Sequence, residues 1–112
     1  MRILVVDSDV HVREILVQRL RGRGYEVEGA QTAVEAIDLL TTALFDVLLL
    51  DVVMPRNAAL DVMTIMRGLA FPPRCIVISG VAHLWKRANP GVQVAGVLQK
   101  PFAFEDLLRL IA

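Results

Sequence analysis

The sequence predicts an α/β fold, a five-stranded and mostly parallel sheet with helices on both faces. Three observations lead there. Short apolar runs alternate with longer amphipathic ones, and the alternation repeats five times. Most of the apolar runs are continuous, as strands buried on both faces are. The 112 residues suit one domain, which buries about two-thirds of its unfolded surface without covalent staples. A single domain over residues 1–112 is expected, with right-handed crossovers.

Residues 2–7, RILVVD, read as the first strand: β-branched, continuous and ending in an acid. Residues 9–22 read as a helix, with Val12, Leu16 and Leu20 one turn apart and Ile15 beside them. Gly22 and Gly24 stop it. Residues 25–28 alternate like a strand with one wetter face, as expected near a sheet edge. Thr32 and Glu35 form a capping box, each satisfying a free N–H at the start of a helix over 33–42. Residues 45–51 are the most apolar strand and the expected sheet centre. Residues 54–57 read as a loop, and 58–69 as a helix closed by Phe71-Pro72-Pro73. Residues 75–79 give a fourth strand. A helix over 81–89 is cut short by Asn89-Pro90-Gly91. Residues 94–99 give the fifth strand, and 104–111 the last helix.

Composition narrows the function. Hydrophobic residues make up 55% and charged residues 21%, which excludes disorder. Twelve basic residues balance twelve acidic ones, against a generic binder of nucleic acid or membrane surface. One cysteine, Cys75, excludes an intramolecular disulfide and a multi-cysteine zinc site. The longest apolar stretch, 43–55, is broken by Asp46 and Asp51, and the apolar start is too short for an export signal. A cytoplasmic setting is therefore expected.

Sites in an open parallel sheet form beyond the carboxyl ends of the strands. Here the first strand ends in Asp7-Ser8-Asp9, the third in Asp51, the fourth in Ser79-Gly80 and the fifth in Lys100-Pro101. Clustered carboxylates repel and tend to take up protons. Two things keep them ionised: a hard cation with oxygen ligands, and the Lys100 ammonium. Mg²⁺ fits best, since it takes one or two carboxylates, keeps waters and accepts a phosphate oxygen. No His, Cys or Tyr base ends any of these strands. The rim is suited to holding phosphate on a carboxylate.

These residues resemble the receiver domain of two-component response regulators, CheY-like in kind. The likeness runs from Ile3-Leu4-Val5-Val6-Asp7 through Asp46–Asp51 and Met54-Pro55 to Gly96–Phe102. It implies a flavodoxin-like, doubly wound (βα)5 sheet. It also implies that Asp51 accepts a phosphoryl group from a histidine kinase or phosphotransfer protein. Asp7, Asp51 and the Val53 backbone carbonyl would hold Mg²⁺, and Ser79 and Lys100 would contact the phosphoryl group. A downstream effector is implied as a partner, and a homodimer is allowed. The domain would be a switching module rather than an enzyme, assisting at most its own phosphoryl transfer and dephosphorylation. Helix one, through His11, Ile15 and Arg19, with the loop after Lys100, would face the kinase.

Four features depart from the family pattern. Ser8 stands where a second acid is usual, and the missing charge predicts weak Mg²⁺ binding. Val97 replaces an aromatic three residues before the lysine. Ala58-Ala59 stands in place of Asp-Gly, and Gly80 in place of Ala. The short fourth helix also bears on the signalling face, which the resemblance places on that helix, strand five and helix five.

Bland readings compete with the functional ones. Asp9 is either the cap of helix one or a residue near the metal, and Ser8 is another candidate cap. His11 and His83 read as exposed, Cys75 as a small core residue, and Met63 and Met66 as core. Trp85 with Lys86 and Arg87 is either a docking patch or a half-buried anchor. The main alternative function is a pseudo-receiver that binds partners without phosphorylation. A small flavodoxin-like enzyme or cofactor carrier is disfavoured: no glycine-rich loop follows strand one.

Overall fold

A computed structural model describes all 112 residues. Five strands alternate with five helices: β1 (Arg2–Val6), α1 (Val10–Gly22), β2 (Glu26–Ala30), α2 (Ala33–Thr42), β3 (Val47–Asp51), α3 (Ala58–Arg67), β4 (Arg74–Ser79), α4 (Ala82–Ala88), β5 (Gly96–Gln99) and α5 (Phe104–Ile111). A turn of 3-10 helix at Pro55–Asn57 leads into α3. The strands form one parallel sheet in the order β2-β1-β3-β4-β5. This is the predicted flavodoxin-like winding, with β3 at the centre and β2 at an edge. The order reverses between β1 and β3, so a crevice opens beyond their carboxyl ends.

Side-chain alternation splits the core into two layers. Leu4, Val6, Leu48, Leu50, Cys75 and Val77 face one way and pack with Ala36, Leu40, Val62, Met63 and Met66 of α2 and α3. Ile3, Val5, Val47, Leu49, Ile76 and Ile78 face the other way, onto Leu16 and Leu20 of α1 and Phe104, Leu107 and Ile111 of α5. Every residue of β3 is buried, which is why its sequence is apolar throughout up to Asp51. No helix is long and apolar enough to cross a membrane.

Several ends differ from the sequence reading. β2 runs on to Gly29 and Ala30, which pair with Val5 and Val6. These small residues carry no strand pattern, so pairing with β1 decides their conformation. At Gly29 a Cβ would sit 3.3 Å from the Arg13 side chain, which crosses the strand there. β5 starts at Gly96 rather than Val94, although the Ala95 N–H already donates to the Cys75 carbonyl at 2.7 Å. The loop over 54–57 contains a helical turn, and Arg56 and Asn57 take positive φ of 59° and 52°. The α2 cap forms as predicted on one side only. Thr32 Oγ1 accepts from the Glu35 N–H, while the Glu35 carboxylate accepts from Gln31 N–H, one residue before the cap.

Cys75 lies in the core under α3, and burial pushes its thiol up to about 12. Native protein is therefore expected to resist a thiol reagent at neutral pH and to react stoichiometrically once unfolded in denaturant. Equal labelling rates in both states would contradict this packing.

Candidate functional site

The buried polar and charged residues of the molecule are three: Asp7, Asp51 and Ser79. Burying a carboxylate is costly without partners, and each of these has them. Asp7 follows β1 and Asp51 ends β3, adjacent strands that deliver their carboxylates to one rim. Lys100 follows β5 and reaches back across the crevice. Its ammonium donates to Asp7 Oδ2 at 2.7 Å and to Asp51 Oδ2 at 3.0 Å. The other oxygens accept backbone N–H groups, Asp7 Oδ1 from Asp9 and Asp51 Oδ1 from Val53, both at 2.9 Å. No buried side-chain polar atom lacks a partner.

The electrostatics follow from this geometry. Burial pushes the Asp7 carboxyl above its ordinary value, although the Lys100 ammonium and the Asp9 N–H pull it down. Burial alone would depress Lys100, but its hydrogen bonds to Asp7 and Asp51 prevail and raise it above the usual lysine range. Two carboxylates thus share one ammonium, and the cluster keeps an excess of negative charge when both are ionised. Carboxylate oxygens accept more than one hydrogen bond or ligand, so acceptor capacity remains at the rim. Two carboxylates with that capacity fit a hard, mostly hydrated divalent cation.

The other residues singled out from the sequence take the following positions. Ser79 ends β4, and its Oγ accepts from the Val81 N–H at 3.0 Å. Val53 is exposed two residues beyond Asp51. Asp9 caps α1: its Oδ1 accepts from His11 and Val12 N–H at 2.9 and 3.3 Å, which holds its carboxyl below the usual range. Ser8 is exposed beside Asp7. His11 and His83 are exposed, Met63 and Met66 are buried, and Trp85 is half-buried against the α2–α3 side of the core.

Two residues escaped the sequence reading. Arg13 Nη1 donates to the Asp7 carbonyl oxygen at 2.8 Å and fixes the peptide that carries the acid. Gln99, the last residue of β5, ties the loop after Ser79 to the end of that strand. Neither follows a motif that sequence offers: Arg13 acts on a backbone carbonyl, and Gln99 reaches backbone atoms of the loop after β4 that only the pairing of β4 with β5 brings beside it.

An anionic rim with an ammonium, at the switch point of a five-stranded doubly wound sheet, defines the receiver class of signalling domains. The chain belongs to the response regulator receiver domain family, whose model matches residues 3–112. It is 40% identical over 114 residues to response regulator MprA of Mycobacterium tuberculosis, covering 96% of this chain and 47% of that protein. MprA of Mycobacterium avium is also 40% identical, with 96% and 48% covered. The chain therefore spans about half the length of these relatives. Among solved structures, the receiver domain protein from Methanospirillum hungatei superposes with a TM-score of 0.86 at 28% identity, covering 98% of this chain and 89% of that one. Response regulator TrrA of Thermotoga maritima, in complex with Mg(2+)-BeF, gives a TM-score of 0.79 at 28% identity, covering 96% and 93%. The chain is a receiver domain of a two-component response regulator.

Proposed function

We propose that Asp51 is the phosphoacceptor. An Asp51 carboxylate oxygen attacks the phosphorus of a phosphohistidine on a histidine kinase or phosphotransfer protein. The new P–O bond forms as the P–N bond breaks, and the imidazole nitrogen leaves with the electron pair and takes up a proton. One observation carries this reading: a buried carboxylate at the switch-point rim with an ammonium 3.0 Å away. Charge neutralisation of the transferring group is the main catalytic need of such a step. Lys100 supplies part of it, and Ser79 supplies a donor hydroxyl. Asp7, Asp51 and the Val53 carbonyl are the proposed Mg²⁺ ligands, and the cation would supply further neutralisation. Asp9 is assigned to the cap of α1 rather than to the metal.

The proposed output is conformational signalling to an effector, in the cytoplasm, with no enzymatic role beyond the domain's own phosphoryl transfer and loss. The α1 residues His11, Ile15 and Arg19 and the loop after Lys100 form the proposed kinase-facing surface, and a homodimer remains compatible with it. The phosphorylation-independent alternative has no observation that sets it above this reading.

Incubation with acetyl phosphate and Mg²⁺, read by intact mass, is the test. A gain of one phosphoryl group is expected in the wild type and none in Asp51→Asn. A gain that survives Asp51→Asn would move the acceptor elsewhere, and no gain in wild type or Ser8→Asp would remove the chemistry altogether.

Ser8→Asp is expected to strengthen Mg²⁺ binding by about tenfold or more, because it restores one ligand charge at an exposed position beside Asp7. Calorimetric titration measures it. Unchanged affinity would mean that Ser8 is not the cause of weak binding.

A further inference from the structure

We infer that Gln99 is a positioning residue for the phosphoryl-contacting pair Ser79 and Lys100, acting as a latch between the end of β5 and the loop from β4 to α4. The inference rests on the proposed role of Asp51 for its functional half only. Gln99 lies directly opposite Ser79 in the parallel register. Both N–H donors of its amide group and one of the two lone pairs on its oxygen are used. Oε1 accepts from the Ala82 N–H at 2.9 Å, and Nε2 donates to the Gly80 carbonyl at 2.6 Å and to the Lys100 carbonyl at 2.9 Å. The amide therefore bridges the residue after Ser79, the first residue of α4, and Lys100 itself.

The loop has few other restraints. The cap residue of α4, Val81, has no side chain able to bond to the helix start. Helix starts leave N–H groups without internal partners, and Gln99 satisfies one from the neighbouring strand. The loop's other ties include the Lys100 N–H to the Ser79 carbonyl at 2.8 Å, the Val81 N–H to the Ser79 Oγ at 3.0 Å and the Trp85 N–H to the Val81 carbonyl at 3.0 Å. The Ser79 hydroxyl oxygen is thus held by its own loop, and the loop by Gln99. A side chain that grips both sides fixes how Gly80, next to Ser79, stands relative to Lys100, whose ammonium donates to Asp51 at 3.0 Å. It also makes any movement of the loop toward a phosphoryl group felt at Lys100.

Gln99 is exposed, so replacing it leaves the core intact. Gln99→Met keeps the length and removes the hydrogen bonds. Gln99→Glu keeps an acceptor for Ala82 but loses the donors to Gly80 and Lys100. Amide exchange in the phosphoryl-free protein tests the latch by itself. The Ala82 N–H is expected to exchange about tenfold faster in Gln99→Met than in wild type, and to stay slower in Gln99→Glu than in Gln99→Met. An unchanged Ala82 rate in Gln99→Met overturns the latch whatever Asp51 does.

The functional half is read by titrating Mg²⁺ and beryllofluoride into each variant and following Trp85 emission and amide exchange at residues 79–82. Both variants are expected to bind the mimic about tenfold more weakly. Faster Ala82 exchange with unchanged affinity for the mimic would reduce Gln99 to a cap for α4 and overturn the positioning role. Failure of the wild type to bind the mimic would instead count against the phosphoacceptor reading, and the exchange result would still decide the latch.

Discussion

Lys100→Ala is expected to slow phosphoryl transfer to Asp51 by about a hundredfold to a thousandfold, the usual loss when one preorganised charge-stabilising donor is removed. The ammonium stands within hydrogen-bond distance of both carboxylates, so no other protein cation replaces it there. The same substitution has a separate effect on the resting protein in EDTA. Asp7 is fully buried and loses its counter-charge, whereas Lys100 is 22% exposed. Breaking a fully buried pair costs about 3–5 kcal/mol, and partial solvation of the lysine reduces the expected cost to about 2 kcal/mol at neutral pH.

The pH dependence gives this prediction a sign. The folded-state pKa of Asp7 is raised above 3.8, so the folded protein holds that proton more tightly than the unfolded chain does. Asp7 therefore disfavours folding above its folded pKa, and the penalty fades as pH falls toward 3.8. The cost of Lys100→Ala should shrink over the same acidic window. Lys100 behaves oppositely: raised above 10.5, its contribution is present below that value and is lost as pH rises through its folded pKa. Urea titrations of wild type and Lys100→Ala across pH measure both. A variant penalty that grows on acidification would contradict the assigned pairing.

The fold was legible above all because its central strand carries its own address. A strand buried on both faces must be apolar at every position, and Val47–Leu50 satisfy that without help from context. Acids placed directly after such runs stand out, since burial makes Asp7 and Asp51 expensive unless they are used. Lys100 was legible from the Lys-Pro step that follows β5, although that strand is only half-buried and the lysine is 22% exposed. Asp9 was not decidable from sequence: a cap and a metal neighbour both want an acid there, and only the two N–H groups converging on its Oδ1 show that the cap is made. Gly29 and Ala30 were illegible as strand, because their conformation comes from β1 rather than from their own side chains. Gln99 reads as an ordinary polar strand end until β4 is beside it. Local pattern thus identifies what a residue costs to bury, while long-range pairing decides what its polar atoms touch.

Leu49→Ala is expected to destabilise the protein by about 2–5 kcal/mol. Leu49 is fully buried on the central strand and packs in the layer under α1 and α5, where neighbours on all sides limit collapse into the vacated space. Against a total of about 5–15 kcal/mol for a domain of this kind, that is a large fraction. The urea midpoint should fall with little change in slope, since the surface exposed on unfolding is nearly the same. Leu49 also lies two residues before Asp51 on the same strand, which separates packing from chemistry. If β3 only carries the acceptor, phosphoryl uptake per folded molecule should match wild type, and any loss should track the unfolded fraction. If uptake falls well below the folded fraction, the layer under α1 and α5 must be setting the position of the acceptor as well as holding the strand. Ile15→Ala is the matched control: Ile15 is 56% exposed, so its truncation should cost within about 0.5 kcal/mol.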